Sequence, residues 1–68
     1  MKYLVVIEKA GKNYSAYIPD IPGCVATGKT PAEVKKAIHE ALEFHLEGLA
    51  EDGKKAPKPT SEADYIAV

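Results

Sequence analysis

The chain has 68 residues, enough for one domain with a small core, so association with copies of itself or with a partner is an expected source of stability. Its 46% hydrophobic and 28% charged residues exclude a disordered chain, and a net charge of -1 provides no field to hold a polyanion. All nine positive residues are Lys, so the Arg fork that grips phosphate and guanine is missing, while the lone Cys24 permits no internal disulfide and fits a cytoplasmic setting.

Residues 2–8 contain the run Tyr3-Leu4-Val5-Val6-Ile7, too short for a membrane span or a leader peptide and rich in strand-favouring types. Tyr3, Val5 and Ile7 fall on one face, Leu4 and Val6 on the other, which predicts a central strand covered on both sides. A polar turn, residues 9–13, leads to Tyr14-Ser15-Ala16-Tyr17-Ile18, giving an antiparallel hairpin with a Gly-containing loop. Pro19-Asp20-Ile21-Pro22-Gly23 is a rigid connection, because each proline removes a ladder donor and Pro-Gly is a turn dipeptide. Cys24-Val25-Ala26-Thr27 reads as a short third strand ended by Gly28.

Thr30-Pro31-Ala32-Glu33 carries an N-cap hydroxyl, proline at the first helical position and glutamate at the third, which predicts a helix start. Val34, Ala37, Ile38, Ala41, Leu42, His45 and Leu49 then recur at helical spacing to about Glu51, and Asp52-Gly53 marks the stop. Glu33, Lys36, Glu40, Glu43, Glu47 and Glu51 share the opposite side. Phe44 and Leu46 widen the apolar stripe beyond what one surface helix needs, so either a second subunit or the neighbouring loop should cover them. Residues 54–61 are a polar loop with two prolines, and Tyr65-Ile66-Ala67-Val68 reads as a final strand. The fold class is therefore α+β, one domain over 1–68, in the order β-β-β-α-β: a three-stranded antiparallel sheet, one helix packed on it and a C-terminal strand.

The stretch from Asn13 through Pro19-Asp20-Ile21-Pro22-Gly23-Cys24 to Gly28, followed by Thr30-Pro31-Ala32-Glu33, resembles the signature of HicB-type antitoxin domains. In that family an aromatic-rich strand runs into Pro-Asp-aliphatic-Pro-Gly-Cys, a short strand, a glycine and a capped helix with Glu-Ala pairs. Here such a pair occurs as Glu40-Ala41, whereas Glu33 precedes Val34, and the likeness reaches Asp52-Gly53 and Pro57–Pro59. The resemblance implies a partial RNase H fold. It also implies a protein partner, a small RNA-cleaving HicA-type toxin that the domain binds and neutralises, and a 68-residue chain is expected to lack the C-terminal DNA-binding module of many members. An orphan homo-oligomeric protein without a toxin is the alternative.

No catalytic, cofactor-binding or metal-binding residues are assigned. A nuclease site of the RNase H type would need several carboxylates converging on divalent metal. The candidates at strand ends are Glu8, read as a solvated strand end, and Asp20, read as a turn residue accepting backbone hydrogen bonds. His39 and His45, six residues apart, lie on different helix faces and form no metal pair. His45 reads as a core or interface histidine, or more sharply as the origin of a pH-sensitive subunit contact. Cys24 reads as a buried structural thiol, and the acidic helix face as either solvated or complementary to a basic partner.

Overall fold

A computed structural model describes residues 1–68. Three antiparallel strands, β1 (Val6–Ala10), β2 (Asn13–Tyr17) and β3 (Val25–Gly28), form a sheet in the order β1-β2-β3, and α1 (Pro31–Glu51) packs across β2 and β3. This is the expected α+β arrangement of three strands and one helix. No helix is long and apolar enough to cross a membrane.

The hairpin turns on two residues, Gly11 and Lys12, between the paired Ala10 and Asn13. Gly11 has φ 62°, whereas no non-glycine residue has positive φ, the combination a type II′ turn requires. The β1–β2 ladder starts only at Val6, opposite Tyr17. Pro19 stops β2 from running further, so Tyr3-Leu4-Val5 continues the direction of β1 without a partner.

Two sequence expectations change here. β1 is an edge strand and not a central one, and Leu4 and Val6, expected to be covered, are only half-buried on the open face of the sheet. Tyr65-Ile66-Ala67-Val68, expected as a last strand, forms none and is exposed throughout. These residues have strand-favouring side chains, but a strand needs a neighbouring edge to receive its backbone hydrogen bonds, and none lies beside them.

The helix termini follow the sequence closely. At the start, the Glu33 N–H donates to Thr30 Oγ1 at 3.1 Å, and Glu33 Oε2 accepts from the Lys29 N–H at 2.9 Å, one residue before the cap itself. At the end, the Gly53 N–H donates to the Ala50 carbonyl at 3.1 Å and the Lys54 N–H to the Leu49 carbonyl at 2.9 Å, with Gly53 at φ 70°. This pair of bonds around a left-handed glycine is a Schellman motif.

Gly28 lets the helix start close against the sheet. A Cβ at that position would stand 2.7 Å from the Val34 nitrogen and 3.0 Å from its Cα, both backbone atoms that cannot swing aside.

Candidate interaction site

The segment between β2 and β3 is built from two successive turns. The Ile21 N–H donates to the Ile18 carbonyl at 3.0 Å across Pro19-Asp20, and the Cys24 N–H to the Ile21 carbonyl at 3.1 Å across Pro22-Gly23. Each turn has proline at its second position, where the fixed φ suits it, and Gly23 takes the positive φ of 84° that a type II turn requires at the third. The Ile18 N–H then donates to the Cys24 carbonyl at 3.2 Å and closes the segment on itself. A period of three results, and it aims Ile18, Ile21 and Cys24 inward. With Ala16, Val34 and Ile38 they make up the fully buried core.

Asp20, on the outer side of this double turn, accepts four hydrogen bonds. The Thr60 and Ser61 N–H groups donate to Oδ2 at 3.1 and 3.0 Å, and their hydroxyls to Oδ1 at 3.0 and 2.9 Å. The expectation that Asp20 accepts backbone hydrogen bonds holds, but the donors come from the C-terminal segment forty residues on, not from its own turn. The Ser61 N–H contributes most to holding the Asp20 carboxyl below its usual pKa; desolvation, the next largest influence, opposes it, and both hydroxyls and the Thr60 N–H add to the lowering. Beside this clamp the Tyr3 hydroxyl donates to the Pro57 carbonyl, which ties the same segment to the start of the chain.

Glu8 lies exposed within β1 opposite Ser15, whereas Asp20 follows the far end of β2, so the two carboxylates do not converge. No three His, Cys, Asp or Glu side chains come together in a way that could hold a metal ion. Cys24 is a buried free thiol, and burial raises its pKa, so the neutral form is favoured.

On the helix, Val34 and Ile38 reach the core and Ala41, Leu42 and Leu46 pack against it. His45 does not belong to that core. It is half-buried at a shallow cleft beside Phe44, Gly48 and Leu49, whereas the next residue, Leu46, packs against the core. The loop alternative for Phe44 fails, since that ring is 80% exposed, whereas Leu46 is partly covered. His39 Nδ1 lies 3.3 Å from Glu43 Oε1, one turn along the exposed face that also carries Glu40, Glu47 and Glu51.

The geometry thus presents a rigid double turn, an acidic helix face and a one-sided sheet, with no assembled catalytic group. A family model described as "HicB_like antitoxin of bacterial toxin-antitoxin system" matches residues 3–68. The chain belongs to the HicB-like antitoxin family.

The chain is similar to an uncharacterised 14.9 kDa protein of Haemophilus phage HP1, 39% identical over 97% of this chain and 50% of that protein's length. A UPF0150 protein of Thermoplasma acidophilum is 36% identical over 91% of each chain. The chain therefore spans half of the phage relative and nearly all of the archaeal one. Among solved structures, a chain of a HicA3 and HicB3 toxin-antitoxin complex superposes with a TM-score of 0.73 at 35% identity, over 88% of this chain and 70% of that one. The HicB-like features read from the sequence, the Pro-Asp-Ile-Pro-Gly-Cys segment above all, are the double turn that organises this fold.

Proposed function

We propose that this domain is the antitoxin of a toxin–antitoxin pair and that it works without catalysis, binding and neutralising a small RNA-cleaving toxin of the HicA type. The observation that carries this reading is the structural likeness to a chain from a HicA3 and HicB3 complex at 35% identity. The physical chemistry is consistent with a stoichiometric binder. The double turn and the capped helix are fixed by backbone hydrogen bonds before any partner arrives, which lowers the ordering cost of association.

The helix face bearing Glu40, Glu43, Glu47 and Glu51 is the surface we assign to first encounter with the toxin. An RNA-cleaving protein needs positive charge for its substrate, and an exposed acidic row steers such a partner. Glu33 contributes less, because its carboxylate is already engaged by the Lys29 N–H.

Co-expression with the small basic protein of an adjacent reading frame tests the pairing. Copurification at equal stoichiometry is expected. If no such protein copurifies and the domain is found only with copies of itself, the orphan homo-oligomer replaces this reading.

A further inference from the structure

Three large apolar side chains crowd the last four residues with nothing against them: Tyr65 is 97% exposed, Ile66 is 90% exposed and Val68 is fully open. Elsewhere the same chain has a vacant place of matching kind. β1 has no neighbour on its outer side, and its helix-facing Ile7, with Tyr3 and Val5 in the run leading into it, borders a groove of about 480 Å³ closed by Ile18, Ile38 and Leu42. The groove exists because α1 lies over β2 and β3 and leaves the inner face of β1 half-covered.

The tail does not line this groove in its own copy. Pro57 is held at Tyr3, on the run leading into β1, and Thr60 and Ser61 are held at Asp20, three residues past the end of β2. Between those points the backbone crosses from β1 toward β2, leaving the free edge behind.

We propose that Tyr65–Val68 of one copy adds as a fourth strand to the free edge of β1 in a second copy. Alternation along a strand sends Ile66 and Val68 to one face and Tyr65 and Ala67 to the other. Ile66 and Val68 enter the groove, and Tyr65 lies over half-buried Leu4 and Val6 on the open face. The added strand satisfies the unpaired backbone groups of an edge that would otherwise recruit neighbours without control. Exchange in both directions uses one patch twice and closes a twofold dimer. The occupant is a second copy because the segment whose side chains suit the groove belongs to this chain, yet lies exposed and leaves the groove of its own copy open. The inference stands independently of the antitoxin reading.

The test mixes isotope-labelled and unlabelled full-length chain and records intermolecular methyl contacts by filtered NMR, with light scattering for mass. The expected result is a dimer with contacts between Ile66 or Val68 of one copy and Val5, Ile7 or Leu42 of the other. A combined Ile66→Asp and Val68→Asp variant should keep the helix and sheet signals, since neither side chain touches the fold. Because both tails of the dimer carry the change, four buried aliphatic anchors are lost and self-association should weaken by more than about a hundredfold. A monomer, tail contacts within a single copy, or a dimer joined elsewhere, such as around Phe44, would each overturn the proposal.

Discussion

The double turn with the start of α1, and β1 together with the C-terminal tail, are two regions of one small fold held in opposite ways. From Ala16 to Ile38 the chain contains every fully buried residue, and its turns are closed by backbone hydrogen bonds over short sequence distances. At β1 and the tail no residue is fully buried: Ile7, with Tyr3 and Val5 before it, is only partly covered against the core, and the tail is attached by one tyrosine hydroxyl and one aspartate carboxylate. The first region can set itself up alone. The second has apolar strand-forming residues whose burial requires another surface.

The largest effect that would separate the two regions comes from truncating equivalent isoleucines. Ile21→Ala should cost about 2–5 kcal/mol, the range for emptying a buried site, whereas Ile7→Ala, half-buried beside the groove, should cost clearly less in the same denaturant titration. Equal losses would break the contrast.

Next comes Gly28→Ala. The added methyl would press on the backbone of Val34, so a loss of about 1–3 kcal/mol is expected, and urea midpoints read it directly. Gly48→Ala on the same helix meets nothing, and as a better helix former it should be neutral or stabilising.

A smaller effect is expected at the N-cap. Thr30→Ala removes the acceptor of the Glu33 N–H and should cost about 1 kcal/mol, measurable by thermal unfolding. The tail clamp should respond to pH without unfolding the domain. Because the folded pKa of Asp20 is lowered, its stabilising contribution is present above the usual aspartate range and fades as pH falls through the lowered folded value. Amide protection at Thr60 and Ser61, taken relative to the intrinsic exchange rate at each pH, should fall at that low pH while Ile18 and Cys24 stay protected. Asp20→Asn should show the same loosening already at neutral pH.

How much of this was legible in the sequence follows the range of the interactions. The helix, both of its ends and the hairpin were readable because Thr30, Glu33, Gly53 and Gly11 act within a few residues of themselves. The rigidity of Pro19 to Gly23 was readable too, but not the alternation that buries Ile18, Ile21 and Cys24. The spacing of three between those residues was the available signal.

What escaped depends on neighbours that sequence does not specify. β1 has apolar residues on both faces and still lies at an edge, because sheet order is decided by where the helix packs. Tyr65–Val68 has strand chemistry without a strand beside it. The partner of Asp20 was equally hidden, since a carboxylate between prolines suggests a local turn and gives no hint of hydroxyls forty residues away. His45 followed the helical apolar period, yet Leu42 and Leu46 are the residues that pack against the core there, and His45 is left half-buried beside Phe44.

The role proposed for this domain is neutralisation of a toxic RNase by direct binding. Titrating the purified domain into the purified toxin from the adjacent reading frame, with cleavage of a labelled RNA as the readout, tests it most directly. Loss of cleavage that is complete at one domain per toxin, and slower in onset at low salt for a Glu43→Lys and Glu47→Lys variant, is the predicted result. Undiminished cleavage in the presence of excess folded domain would contradict it.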